Sequence, residues 1–250
     1  MNHQALQEQS AAYSDCYIAF LDLLGFKSII NHKKCEDILN IFSKIKNPLD
    51  AIFIDNGTEW VPLIDHDSVS NINLKIMSDS ICFYIDASAP NAFCILISVC
   101  LLFQIEMLKR AEPILMRGGI VRGDIYANGD ITFGPGLSNA YLLEEKSAKY
   151  PRIIVTGDVV QTGTSETDPE CRKILADSLY RDSDAYYILN YFSMLSGDSD
   201  DRYAARKFFD HIEKVLDTAT DPSIREKYLY LEGHMRLLCS KISSLNPATP

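Results

Sequence analysis

Short apolar runs and polar, glycine-containing breaks alternate along most of the chain, and the spacing inside each run separates strands from helices. Runs rich in β-branched and aromatic residues, bounded by Gly, Asp, Asn or Ser, read as strands. They predict strands over 17–23, 73–77, 80–86, 115–122, 124–127, 130–133 and 152–156. Apolar positions three and four apart predict helices over 35–46, 91–109 and 136–147, and a mainly helical region over 169–243. Within that region LADSLYRDSDAYYILNYF has room for a short strand. Pro90 and Asn91 mark the start of the 91–109 helix, Asn91 as its expected cap. ANGD at 127–130 is a hairpin turn. The stretch 47–72 connects elements without a clear period of its own.

Strands alternate with helices at first, and hairpins follow. That order predicts an α+β fold with a mixed or antiparallel sheet flanked by helices, not a doubly wound parallel sheet. Three parts are expected: a polar tail over 1–15, one α+β domain over 16–164, and a mainly helical C-terminal extension over 165–250, divided near GTSETDP.

Composition removes some possibilities. The 250 residues suffice for one large domain, and 47% hydrophobic with 23% charged residues is ordinary for a globular chain. A formal charge of −10 disfavours a duplex-binding surface, so no nucleic acid is expected as a partner. Cys16, Cys35, Cys82, Cys94, Cys100, Cys171 and Cys239 are odd in number, lie mostly in apolar segments and show no zinc spacing. Reduced, buried thiols and a cytoplasmic location are the expectation. The N-terminus has no apolar signal core. The longest apolar run, AFCILISVCLLF, is too short for a bilayer and is followed by Gln104, Glu106, Lys109 and Arg110. It reads as a buried helix, and no membrane association is expected.

One residue breaks the pattern. In YIAFLDLLGF, Asp22 stands among Phe20, Leu21, Leu23 and Leu24, where an unpaired carboxylate is costly to bury. Either the strand ends there in a turn, or Asp22 is a metal ligand at a strand end and Gly25 lets backbone approach a phosphate. LKIMSDSICFYI repeats the puzzle with Asp79 at a tight hairpin turn. If the two carboxylates converge, with a backbone carbonyl beside them, they suit a hard cation such as Mg²⁺ or Mn²⁺. Phe20, two residues from Asp22, shares its strand face.

FLDLLGF, LKIMSD, RGGIVRGD, FGPGLSNAYLLEE and PRIIVT, in that order over roughly 17–160, resemble the class III nucleotide cyclase domain. RGGIVRG, AYLLEEKSAKYPRIIV, RDSDAYYILNYF and REKYLYLEGH are similar, more narrowly, to the pyrimidine cyclases of Pycsar anti-phage defence, which make cyclic UMP or cyclic CMP.

The resemblance implies a class III cyclase-like sheet. It implies two divalent cations, Mn²⁺ or Mg²⁺, held by Asp22, Asp79 and the carbonyl of Leu23. It assigns triphosphate binding to the turn Leu23, Leu24, Gly25 and Phe26, with Phe20 lining the same pocket. Lys75 falls where purine cyclases read the base, and Asn139 where they position the ribose. Two departures stand out: Leu143 replaces a transition-state arginine, and Thr132 replaces an aspartate that reads adenine. Arg117, Arg122 and Arg152 are the candidate substitutes for the arginine, Arg117 first. The implied protein is a homodimer that cyclises UTP, with CTP as the near alternative. A cyclic-nucleotide-activated effector would act downstream without binding it directly. The other reading is a catalytically inactive cyclase-fold module that binds a nucleotide or a partner.

Overall fold

The computed structural model describes residues 12–46, 70–194 and 199–240. Most of the expected tail and most of the 47–72 connection lie outside these residues. The first strand, β1 (Ser14–Leu23), is buried without interruption from Cys16 to Leu21, which explains why its apolar run does not alternate: both faces are covered. It lies between β3 (Ser80–Asp86) and β4 (Met116–Asn128), antiparallel to each. β2 (Asn73–Met77) forms a hairpin with β3, and β5 (Ile131–Phe133) a hairpin with β4. β6 (Ile153–Val155) pairs parallel to β4, which makes the sheet mixed. The last two strands, β7 (Leu179–Arg181) and β8 (Tyr187–Leu189), add antiparallel beyond β6, giving eight strands among the described residues.

Helices cover both faces. α1 (Phe26–His32) and α2 (Cys35–Lys46) follow β1, and α3 (Ala92–Leu108) follows β3. α4 (Pro135–Ser147), α5 (Gly157–Ser165) and α6 (Pro169–Ser178) bracket β6 and lead into β7. α7 (Ser199–Thr218) and α8 (Pro222–Ser240) form the C-terminal pair. The architecture is the α+β, mixed sheet flanked by helices that the sequence predicts. Two strands expected at 115–122 and 124–127 are one continuous strand, β4, and α1 and α5 are helices the periodicity did not announce. β7 and β8 lie past residue 165, so the mainly helical part also extends the sheet.

The main core joins Tyr17, Ala19, Leu21 and Leu23 of β1 to α3, which is buried all round from Ala92 to Leu101. Phe208, Ile212, Leu231 and Met235 of α7 and α8 belong to the same core. Asn91 does not cap α3: it sits in left-handed backbone (φ 56°) and its side chain bonds Asp168 at 2.6 Å instead. Asp168 in turn caps α6 by accepting from the Glu170 and Cys171 N–H groups. No helix among the described residues is long and apolar enough to cross a membrane.

On the other face α4 lies directly on β4 and β1, over Cys16, Ile18, Phe20 and Val121. A Cβ on Gly119 would fall 2.9 Å from the Ala140 carbonyl oxygen and 3.0 Å from the Glu144 nitrogen. One on Gly123 would fall 2.9 Å from the Cα of Gly136. Those glycines permit a backbone approach that side chains forbid. Gly119→Ala is therefore expected to lower stability by about 1–3 kcal/mol through overpacking. Gly233→Ala, in open space on α8, should leave it unchanged or raise it. Calorimetric melting of both variants checks this, and equal melting temperatures would contradict the close packing of α4.

Candidate active site

Asp22 is the last residue but one of β1, and its cross-strand neighbours are Ser80 on β3 and Arg117 on β4. Asp79 sits in the tight turn between β2 and β3, where Ser78 takes a left-handed conformation (φ 57°). The Leu23 N–H donates to the Asp79 carbonyl at 3.0 Å, so the turn is pinned to the end of β1. The two aspartates are thus one strand apart at the same end of the sheet.

Three of the site's groups meet at Arg117. Its Nε–H donates to Asp22 Oδ2 at 3.1 Å, and Glu144 Oε1 lies 2.7 Å from the same nitrogen. The charge of Asp22 is therefore compensated by an arginine of the neighbouring strand, where the sequence reading looked to a cation. Glu144 is 3% exposed, held against β4 by the Gly119 approach. Burial pushes its acid up to about 7 in spite of Arg117, with Asp22, Glu145 and Asp79 adding to the rise. The sequence reading missed Glu144. The signal for it was present: Gly136, Ala140 and Glu144 recur every fourth residue, an acid in the small-residue stripe that α4 buries.

The turn after β1 is partly engaged already. The Leu24 N–H donates to Leu115 at 2.8 Å, as that of Leu23 does to Asp79, so neither amide is free for a phosphate. The Gly25 and Phe26 amides donate to no described residue, and Gly25 (φ 77°) turns the chain into α1. The Phe26 ring itself is buried against Phe42, 5.6 Å between centroids, and leaves only its backbone to the site.

The candidates Phe20 and Lys75 share the sheet face of Asp22, which α4 covers. Phe20 lies on the Asp22 face, buried and edge-on to Tyr141 at 5.5 Å. Lys75, paired with Cys82 on the same face, donates to the Gly129 carbonyl in the β4–β5 turn at 2.6 Å. Asn139 is exposed on α4. Leu143 packs between two apolar clusters, and the Thr132 hydroxyl is buried with no hydrogen-bond partner among the described residues. The structure thus brings together Asp22, Asp79 and Arg117, and leaves Lys75 and Asn139 apart from them.

Arg122 and Arg152 are committed elsewhere. Arg122 is an odd number of residues from Arg117 and projects from the opposite face. There it bonds Asp15 at 2.9 Å and Glu166 at 2.6 Å over the Tyr17 ring. Arg152 is buried between Asp182 and Asp184 and lies over the rings of Tyr150 and Tyr230.

Among the described residues no group of three or more His, Cys, Asp or Glu side chains is arranged to hold a metal ion. The two aspartates still fit a hard cation, because such ions commonly complete their shell with water and substrate phosphates.

A pH dependence follows from Glu144. Its folded-state acid titrates near 7 against an ordinary value of 4.5, so the folded protein binds this proton more tightly than the unfolded chain. The resulting stabilisation is complete below the unfolded value and is lost as pH rises through the folded one. Glu144→Gln, which cannot ionise, is expected to gain stability relative to wild type as pH rises from about 5 to about 8. Melting curves of both proteins across that window check it, and a pH-independent difference would contradict the raised acid.

No family model matches the sequence, and no curated protein does. Among solved structures, the chain is similar to the catalytic core of a rhodopsin-guanylyl cyclase with converted specificity, in complex with ATPalphaS. That likeness has a TM-score of 0.47 at 16% identity and covers 71% of this chain and 96% of that one. The adenylyl cyclase CyaB from P. aeruginosa gives 0.41 at 14% identity, over 72% of this chain and 96% of that one. An adenylate/guanylate cyclase/hydrolase from Silicibacter pomeroyi gives 0.41 at 20% identity, over 72% and 98%.

Proposed function

We propose that this chain is a nucleotide cyclase that converts UTP, with CTP as the near alternative, into the 3′,5′-cyclic monophosphate and pyrophosphate. The observation that carries the reading is the pair Asp22 and Asp79, fixed at adjacent strand ends by the Leu23–Asp79 backbone bond. In this reaction the ribose 3′-oxygen bonds to the α-phosphorus as the bond from that phosphorus to the bridging oxygen breaks, pyrophosphate leaves with the bridging oxygen and the electron pair, and the hydroxyl proton passes to solvent water. Asp22, Asp79 and the Leu23 carbonyl would hold two divalent cations, Mn²⁺ or Mg²⁺, which activate the hydroxyl and neutralise the triphosphate. The chain's own part is positioning and charge. The unengaged Gly25 and Phe26 amides face phosphate oxygens, and Arg117 contributes the cation that Leu143 lacks. Lys75 reads the base and Asn139 holds the ribose.

The pyrimidine preference rests on the sequence resemblance to the Pycsar enzymes, as does a cytoplasmic role making a second messenger in anti-phage defence. The working unit in this reading is a homodimer, in which Lys75 and Asn139 of one copy complete the aspartates of the other. A second reading, an inactive nucleotide-binding module, is favoured by two observations: Arg117 is engaged with Asp22, and Leu143 packs among apolar groups.

Incubation with each of the four ribonucleoside triphosphates and Mn²⁺, followed by mass identification of any cyclic product, decides between the readings. Asp22→Ala and Asp79→Ala are each expected to abolish pyrophosphate release while the protein stays folded, and near-wild-type turnover in either would sink the two-cation assignment. Asp22→Ala mixed with Asn139→Ala should recover about a quarter of wild-type activity, since about half the dimers are mixed and each has one intact site. No recovery after confirmed exchange would place both sets within one chain. Lys75→Ala should change the preference between UTP and CTP more than the response to Mn²⁺, and an unchanged preference would put Lys75 outside the base pocket.

A further inference from the structure

An arginine has a single Nε–H, and two carboxylates claim the one on Arg117. Asp22 Oδ2 receives it at 3.1 Å. Glu144 Oε1 is closer to the nitrogen, at 2.7 Å, yet receives no hydrogen and has no other partner among the described residues. A buried acid oxygen left unsatisfied is unfavourable, and it lies where a small rotation of the guanidinium would satisfy it. The Asp22 and Arg117 side chains are 20% and 27% exposed, so their contact is open to an incoming ligand, whereas Glu144 is sealed beneath α4. The two terminal amino groups of Arg117 donate to no described residue. The guanidinium thus has two available positions, one on an accessible carboxylate and one on a buried carboxylate.

We propose that Arg117 competes with a divalent cation for Asp22, and that Glu144 is the positioning residue that takes the guanidinium when the cation binds. The inference rests on the reading of Asp22 and Asp79 as cation ligands. Cation binding neutralises Asp22 and repels the guanidinium, so the Nε–H passes to Glu144 Oε1, and the four terminal N–H donors stay at the rim of the site. Glu144 touches neither cation nor substrate and acts only through Arg117. The arrangement links cation occupancy to the position of the arginine that the cyclisation reading needs.

Mn²⁺ binding to the full chain without nucleotide, read from the electron paramagnetic resonance signal of free Mn²⁺ at about pH 8, where Glu144 with its acid raised to about 7 is a carboxylate, tests this apart from turnover. Arg117→Met should bind Mn²⁺ roughly twofold to fivefold more tightly than wild type, the range for an ion pair that solvent still reaches. Arg117→Gln serves the same purpose should the methionine variant not fold. Glu144→Gln should weaken binding in the wild-type background, because the guanidinium's second position loses its negative charge, and should have little effect once Arg117 is replaced. A simple charge effect of Glu144 would instead weaken binding equally in both backgrounds, and that result overturns the positioning role. Unchanged affinity in the Arg117 variants overturns the competition. Absence of Mn²⁺ binding in all of these proteins would defeat the cation reading itself, a separate outcome.

Discussion

The contact on which the site depends is backbone against backbone. α4 lies on β4 at a separation that leaves no room for a Cβ at Gly119, nor for one between Gly123 and Gly136. Moving that helix outward by the width of a methyl group would wet Glu144 and draw it from Arg117. It would also uncover Phe20 and Val121, which the helix seals. The electrostatics of Asp22 are therefore set two contacts away, by residues whose contribution is to have no side chain. Packing determines the charge arrangement here, because a buried acid keeps its proton to high pH only where water is excluded.

Much of the scaffold was legible in the sequence because its signals are local. Continuous and periodic apolar runs located β1, β2, β3, α2 and α3 within a few residues, and ANGD marked the β4–β5 turn. The split assigned to β4 came from reading Gly123 as a break, whereas glycine there serves helix packing and the strand runs through it. LADSLYRDSDAYYILNYF, with room for one short strand, holds two, β7 and β8; at three residues each they take their stability from pairing with β6 and each other, a long-range term that no window of sequence contains.

The candidate site was legible in part for the same reason. Asp22 and Asp79 stood out as acids in apolar strands, and the strand register joins them. Choosing among Arg117, Arg122 and Arg152 required knowing which face each side chain leaves from, and that follows from the pairing of β4 with β1. Arg117 is opposite Asp22 and Arg122 opposite Tyr17, so one points to the acids and the other to the main core. Glu144 is the harder case. On a helix surface a Glu-Glu pair is ordinary, and only its place in line with Gly136 and Ala140 marks the first member as the buried one.

Arg152 shows how the two ends of the chain are joined. It immediately precedes β6, which pairs with β4, and its guanidinium meets Asp182 of the β7–β8 turn. The same aspartate accepts from Tyr230 of α8 at 2.9 Å, with the Tyr230 ring stacked 4.2 Å from Tyr150. A charge this deeply enclosed cannot be left without its partners cheaply. α8 is consequently tied to the sheet through buried polar contacts. A shortened chain ending before Pro222 would take the Tyr230 hydroxyl and ring away from Asp182 and Arg152 and leave their ion pair open to water on that side.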